Sequence, residues 1–377
     1  MMAKGLEQVT DWLQSPPHLA SNIERDSEVA IYGAGNFGRA VFEVLQSSGF
    51  RVICFFDQKA RPGMHYRDVP IWRLEQAPFS AEQKARLSVV IAIHNPHSAI
   101  PPLERRLHQL GYVHVINPIA LADEFGAQLG KRYWLTARAN YQAKEADIRA
   151  AYALWADPLS RSLYLANLAL RLTGDYSVLP APDSTCQYFP SDLPGWSLPL
   201  RLVDCGAYDG DMLERAPAAG VPVQAIAAFE PDADNFDRLL QRISQARPRP
   251  SEVYLWPCGV YRSTSPQRFA AAQDAASAIC PTGTRVVQCV ALDEVIPYFA
   301  PTLIKMDIEG AELDALLGAK QLIGRYRPGL AICVYHTPDH LCQIPLLLDS
   351  WGLGYRFFLR SHAYNGFDQV MYAIPPD

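Results

Sequence analysis

The stretch LVDCGAYDGD, residues 202–211, constrains this chain more than any other. An apolar run ends in Asp204, glycines at 206 and 210 make a tight turn, and a helix-compatible run follows over 212–219. Strand, glycine loop and helix in that order open a nucleotide-type site in α/β proteins. Glycine reaches backbone angles that a side chain forbids, and it lets the main chain approach a ligand so that amides at the helix start can face polar groups. A glycine turn is also an ordinary way to join a strand to a helix, so the weight falls on what stands downstream.

About twenty residues on, AIAAFEP (225–231) reads as a second strand closed by Glu230, where a carboxylate can accept hydrogen bonds from two adjacent ribose hydroxyls. A third strand, 253–258, is closed by Gly259, and two more follow in LIKMDIEGAE (303–312) and GLAICVYH (329–336). Each is an apolar, β-branched run that stops at polar residues. The polar residues should therefore collect along the carboxyl edge of a parallel sheet, the ligand-binding edge of open α/β folds. That edge would carry Asp204, Asp209, Glu230, Asp307, Glu309 and His336.

Taken together, VDCGAYDGD, FEPDADNF, LIKMDIEGAE, VYHTPDHLCQIP and a closing strand pair around FFLR and VMYAIP resemble an FkbM-type methyltransferase. The likeness covers roughly residues 145–377, reaching upstream through 156–160, 171–175 and 187–190. Met212 stands where that family often has threonine, and Ser361-His362 follows Arg360 where His-Tyr is expected. The resemblance implies S-adenosylmethionine (SAM) as cofactor. On that basis Asp204 and the loop Gly206, Ala207, Tyr208, Asp209 and Gly210 would meet its methionine part, Glu230 and Pro231 the ribose, and Cys258-Gly259 the adenine side. Asp204 has a second reading, as an acid that bonds loop amides to shape the turn.

Methyl transfer to a hydroxyl also needs the acceptor aligned and a proton removed. The candidates for the base are His336, Asp307, Glu309 and His340, with His336 preferred because its unperturbed pKa suits neutral pH and it follows directly on a strand. A histidine at a strand end is equally often a hydrogen-bonded structural residue. Asp307 and Glu309 would orient the acceptor hydroxyl or the SAM amine. Only these two acids stand close together without an evident third ligand, so no metal is expected. Glu312, one turn into a helix, reads as an acid complementing the helix dipole.

At 377 residues the chain is long enough for two or three domains, and 49% hydrophobic residues suffice for real cores. No apolar run is long enough to cross a bilayer, and Met1 to Gln8 lack an apolar signal core, which gives a cytoplasmic expectation. The eight cysteines (54, 186, 205, 258, 280, 289, 333, 342) include no CxxC and read as reduced, mostly buried thiols. A net charge of −5 without a basic tract argues against a nucleic-acid partner.

The amino-terminal part repeats the αβ logic. After a short helix at 5–14 and a proline-containing link, EVAIYGAGNFG (28–38) runs a strand into GxGxxG, 39–48 is the helix, and 51–57 is a second strand closed by Asp57. Gly33, Gly35, Asn36, Phe37 and Gly38 would face phosphates at the helix start, with Asp57 on a ribose. Strands at 88–94 and 113–117 complete a small parallel sheet. The start IYGAGNFGR and the closing VINPIALA are similar to the amino-terminal domain of PglD-type sugar acyltransferases, which points to a nucleotide sugar, while the GxGxxG fits NAD(P) as well. The same glycines can simply let helix and sheet pack closely. His94 and His97, three apart with a proline between, read as loop polarity and not as a metal pair.

Between the sheets, 123–180 is alanine- and leucine-rich with aromatic residues (Tyr133, Trp134, Tyr141, Tyr152, Trp155, Tyr164) and Leu168 at helical spacing, which predicts two or three amphipathic helices whose stripe is core or a homodimer surface, while 179–183 reads as a linker and 190–199 as an extended entry to the second sheet. Runs at 354–360 and 368–374 around Asn365-Gly366 predict a closing antiparallel hairpin.

The expected architecture is α/β. Two Rossmann-like parallel-sheet domains (1–122 and 199–377) are joined by a helical connector (123–198), and the second has a class I methyltransferase fold with an antiparallel terminal hairpin. The implied activity is SAM-dependent O-methyl transfer (EC 2.1.1.-) to a hydroxyl of a sugar, glycan or secondary metabolite, as in polysaccharide biosynthesis. Two other readings stay open: an NAD-dependent oxidoreductase using the first domain, for which no Tyr-x-x-x-Lys or His–acid pair follows the first sheet, and a non-catalytic nucleotide-sugar binding protein.

Overall fold

A computed structural model describes residues 2–14, 23, 27–270, 278–279 and 283–376. The chain divides into two compact units, one of residues 1–149, 162–182 and 363–367, the other of 150–161, 183–362 and 368–377. Residues 123–198, expected as a connector, are thus shared between both.

In chain order the first unit has α1 (Met2–Gln14), β1 (Glu28–Tyr32), α2 (Asn36–Ser47), β2 (Arg51–Phe56), β3 (His65–Tyr66), β4 (Val69–Trp72), α3 (Ala81–Arg86), β5 (Ser88–Ile91), α4 (Ile100–Gln109), β6 (His114–Ile116), α5 (Pro118–Leu129) and α6 (Arg138–Gln142). Helices α7 (Glu145–Leu154) and α8 (Pro158–Thr173) follow. The link at 15–22 lies outside the described residues. The sheet order is β3-β4-β2-β1-β5-β6, parallel except for β3 against β4. Strand β1 is apolar throughout its buried length because it has neighbours on both edges and cover on both faces. Val41, Phe42, Val44 and Leu45 of α2 pack against Ile31 and Phe55.

Several ends differ from the sequence reading: α1 begins at Met2, β2 ends at Phe56, and β5, expected to run to 94, stops at Ile91. Helix α2 begins at Asn36, directly on the glycine loop, and β6 stops at Ile116 because Asn117 turns to cap α5, its Oδ1 accepting from the amides of Ile119 (3.1 Å) and Ala120 (3.2 Å). The aromatic stripe is core: Trp134, Tyr141, Tyr152, Trp155 and Tyr164 are all buried.

The second unit continues with β7 (Leu200–Cys205), α9 (Met212–Ala218), β8 (Val223–Phe229), α10 (Ala233–Gln245), β9 (Glu252–Trp256), β10 (Gly259–Val260), β11 (Ser265–Ala270), β12 (Ala278–Ile279), β13 (Arg285–Val290) and α11 (Leu292–Val295). Then come β14 (Leu303–Met306), α12 (Glu312–Leu317), α13 (Lys320–Tyr326), β15 (Gly329–Cys333), α14 (His340–Asp349), β16 (Arg356–Ser361) and β17 (Gln369–Ile374). Seven strands form one sheet in the order β16-β17-β15-β14-β7-β8-β9, with β17 antiparallel to both its neighbours. Asn365 (φ +58°) and Gly366 (φ +76°) supply the left-handed turn between the last two strands.

From β7 the chain moves to β8 on one side, and it returns to place β14 on the other. The crevice beyond the carboxyl ends of β7 and β14 is therefore the topological switch point, where open α/β sheets bind ligands. The strands β10, β13, β11 and β12 form a separate small sheet that the sequence reading did not anticipate. Its alternation is blurred because Val286, an apolar residue, stands exposed.

Candidate active site at the carboxyl edge of the second sheet

The glycine loop after β7 is fixed from three sides. Gly206 has φ +76°, and a Cβ there would stand 2.0 Å from the Asp307 carbonyl oxygen, so only glycine lets the loop cross the exit of β14. The Tyr208 amide donates to Glu230 Oε2 (2.9 Å), and the Asp232 amide donates to Glu230 Oε1 (2.9 Å). Tyr208 is itself left-handed (φ +49°) with its side chain half exposed beneath the Arg238 guanidinium, 5.5 Å from the ring centroid. Gly210 (φ +85°) passes so close to α10 that a Cβ would meet Leu239 Cδ1 at 2.8 Å.

Beneath the loop lies a buried ion pair. Lys305 Nζ stands 3.0 Å from Asp204 Oδ1, the two side chains 4% and 1% exposed, and donates to the Gly206 carbonyl at 2.6 Å. Burial pushes the Asp204 carboxyl up to about 6, with Lys305 pulling against it. Asp204 therefore supports the loop from below, acting through Lys305. Burial also raises the Glu230 carboxyl, opposed by the two amides it accepts. Asp209 is held by Arg242 (2.7 Å). Pro231 is half-buried beside Glu230, and Cys258 is buried with Gly259 next to it, at the far end of β9.

At the ends of β14 and β15 five acidic and basic groups meet. His336 Nδ1 lies 2.7 Å from Glu312 Oε1, and its Nε2 lies 3.2 Å from Asp307 Oδ1 and 3.8 Å from Glu309 Oε2. Glu312 also takes His340 Nδ1 at 3.1 Å and the Ile308 amide at 3.0 Å. Tyr188 donates its hydroxyl to Asp307 Oδ2 at 2.8 Å. Burial alone would lower the His336 pKa, but Glu312 and Asp307 hold the imidazole well above its ordinary value. Burial likewise works to raise Asp307 and Glu312, yet His336, joined by Lys305 and Tyr188 at Asp307 and by His340 at Glu312, outweighs it and keeps both carboxyls well below the usual range. Glu309 goes the other way, raised to about 7 by burial, with His336 opposing and Asp307 and Glu312 adding.

This geometry brings together the expected residues Asp307, Glu309 and His336, and it changes how His336 reads. With Glu312 bonded at Nδ1 and the carboxylates of Asp307 and Glu309 facing Nε2, the surroundings favour the charged imidazole over the neutral ring that the expected base role needs. Glu312 is more than a first-turn acid: it is the buried hub that holds two histidines and a backbone amide. Lys305 and Tyr188 were not expected as site residues, although a lysine inside the apolar run LIKM is an anomaly that could have flagged the first. Among the described residues no group of three or more His, Cys, Asp or Glu side chains could hold a metal ion. The seven described cysteines are free thiols, all buried except the half-exposed Cys186, and Cys280 lies outside the described residues.

In the first unit, Gly33 (φ +109°) and Gly38 are demanded by packing, since Cβ atoms would meet the Ala92 carbonyl at 2.8 Å and the Gly33 carbonyl at 1.8 Å. A Cβ on Gly35 would meet nothing within 4 Å. Gly35 and Asn36 are exposed and Phe37 half-buried at the start of α2. Asp57 Oδ2 accepts the Ala34 amide (2.9 Å) and its Oδ1 the Lys59 amide (2.8 Å), so it ties the loop to the end of β2. His94 bonds the Arg132 carbonyl (3.2 Å), burial lowering its pKa to about 3, while His97 is exposed.

Residues 204–359 match the model of the methyltransferase FkbM domain, and residues 28–98 match that of the PglD N-terminal domain. The crystal structure of methyltransferase FkbM from Methylobacillus flagellatus KT is similar with a TM-score of 0.81 at 23% sequence identity, over 99% of each chain. No match was found among curated proteins. No helix among the described residues is long and apolar enough to cross a membrane. The switch-point loop, its supporting acid and the DIEGAE turn all fall inside the first match, and residues 204–359 are thus a methyltransferase domain of the FkbM type, carried in one chain with a domain of the PglD N-terminal type.

Proposed function

We propose that this protein transfers a methyl group from SAM to a hydroxyl of a sugar, glycan or secondary metabolite, with residues 199–377 as the catalytic domain. The observation that carries the reading is the convergence of the Gly206–Gly210 loop and Glu230 at the switch point of the seven-stranded sheet. The donor and acceptor set fits the cofactor. Glu230 spends one lone pair of each oxygen on the amides of Tyr208 and Asp232, which leaves acceptor capacity for two ribose hydroxyls. Asp209 Oδ1 is buried and takes no donor from the described residues, so it can accept from an ammonium group. Cys258 and Gly259 border the adenine side.

When bound, SAM supplies an electrophilic methyl group on a sulfonium centre. The chain's part is to hold the loop rigid through Asp204 and Lys305 and to bring the acceptor oxygen to the 307–309 edge. Carboxylates there accept hydrogen bonds from hydroxyls and orient them. The sugar class rests on the company of the PglD-type domain, an analogy of domain pairing.

For that first domain we infer a nucleotide sugar or NAD(P) at the start of α2. Gly35 supports this: no protein atom crowds the place of its missing side chain, which leaves room for a phosphate at the start of α2. The deciding experiment is calorimetry of SAM and S-adenosylhomocysteine on the full chain, with Glu230→Ala and Gly206→Val as controls, followed by radiolabelled methyl transfer to a panel of sugars and nucleotide sugars. Micromolar binding lost in both variants supports the site, and no binding by the intact chain overturns it.

A further inference from the structure

Three carboxylates surround His336, and they are not equivalent. Asp307 spends Oδ2 on the Tyr188 hydroxyl and faces His336 with Oδ1. Glu312 spends its oxygens on His336, His340 and the Ile308 amide, with no exposure of its side chain. Glu309 accepts no hydrogen bond from the described residues, its nearest cation is His336 at 3.8 Å, and 23% of its side chain reaches solvent. It also stands in the left-handed region (φ +57°) between Ile308 and Gly310, a backbone cost that a non-glycine residue carries only where the surroundings impose it. Glu312 Oε1 accepts from the Ile308 amide at the head of that turn.

We propose that Glu309 is the proton-accepting group of this site and that Glu312 is the positioning residue that aims it, by fixing both the 308–310 turn and His336. The inference rests on the methyltransferase reading. As the acceptor oxygen bonds to the methyl carbon, its O–H bond breaks and the proton passes to Glu309, while the carbon–sulfur pair stays with sulfur. The positive charge and the Glu309 charge disappear together.

Charge explains the division of labour. His336 neutralises one of the flanking carboxylates, Asp307 and Glu312 are already ionised, and Asp368 adds a further negative charge towards Glu309. A fourth negative charge is the one the cluster resists, so Glu309 takes up a proton most readily, near neutral pH.

The test needs no known acceptor. The full chain carrying [δ-13C]glutamate is titrated by carbon NMR between about pH 4 and about pH 9, spanning the ordinary glutamate range and neutrality. One carboxyl should titrate near 7 and vanish in Glu309→Gln, while the resonance lost in Glu312→Gln should stay flat. If the Glu309→Gln-sensitive resonance titrates in the ordinary range, or if nitrogen NMR shows His336 losing its proton near neutrality instead, the proposal is overturned. Should Glu309→Gln fail to fold, the wild-type spectrum still decides, because absence of any glutamate carboxyl titrating near 7 overturns it alone. Once an acceptor is in hand, Glu309→Gln should lower kcat by about 100-fold or more, the usual scale for losing a general base. Calorimetry with SAM reports separately on the methyltransferase reading: an intact chain that binds no SAM sinks that reading and leaves the carboxyl titration standing.

Discussion

Glu312 Oε1 lies 2.7 Å from His336 Nδ1, with both side chains wholly withdrawn from solvent. A buried pair of this kind is strongly destabilising to break, because the surviving charge has no water to turn to. Glu312→Gln keeps the volume and removes the charge, and it should cost about 3–5 kcal/mol in denaturant unfolding. A loss below about 0.5 kcal/mol, the scale of an ordinary surface substitution, would mean that the histidine is not held as a cation.

The same pair fixes the response to acid. Glu312 sits below its ordinary 4.5 in the folded chain, so its contribution to stability is present above 4.5 and lost as pH falls through the depressed value. His336 sits above 6.5, so its contribution is present below 6.5 and lost only as pH rises through the raised value. Between those two values both contributions stand. Thermal unfolding followed against pH should therefore show a weaker acid limb below 4.5 in Glu312→Gln than in the parent. An unchanged limb would assign the acid sensitivity to other carboxylates.

Gly206→Ala combines two penalties, a Cβ at 2.0 Å from the Asp307 carbonyl and a left-handed φ of +76°. Backbone cannot yield there without separating the loop from β14. We expect a loss of several kcal/mol on the scale of strained, overpacked sites, with cofactor binding by calorimetry abolished even in preparations that stay folded. Gly35→Ala in the first unit is the contrast: its Cβ meets nothing and its φ is −75°, so the unfolding midpoint should not move.

Much of this was legible in the residues, and what was not has a common cause. The strands β7, β8, β14 and β15 read directly, because a strand buried on both faces is a mostly apolar run, and the polar residues that follow it mark the sheet edge. Glu309 and His336 could be placed on that edge by this argument alone. Their protonation could not, since it depends on Glu312, which reaches them from the far end of a turn. The small sheet β10–β13 stayed hidden because two of its strands, β10 and β12, are only two residues long, and β13 mixes polar and apolar residues along each face. Lys305 shows the limit most clearly: the sequence displays an odd charge in a core strand, but only the fold shows that Asp204, about a hundred residues away in the chain and directly across from it in β7, is its partner.

That pairing makes the most discriminating prediction. Asp204 and Lys305 are register partners on adjacent parallel strands, their charges 3.0 Å apart, and Lys305 adds a bond to the Gly206 carbonyl. Removing either partner strands a charge in the core, so Asp204→Asn and Lys305→Met should each cost about 3–5 kcal/mol. If the pair acts mainly as mutual neutralisation, the double variant recovers most of that loss, and its cost falls far short of the sum of the two single variants. The loop bond from Lys305 to Gly206 is not restored by the double variant, however. Stability and SAM affinity should therefore part company: unfolding near the parent value, cofactor binding still weakened. Recovery of both would show that the lysine serves only to neutralise Asp204, and that the glycine loop keeps its shape without it.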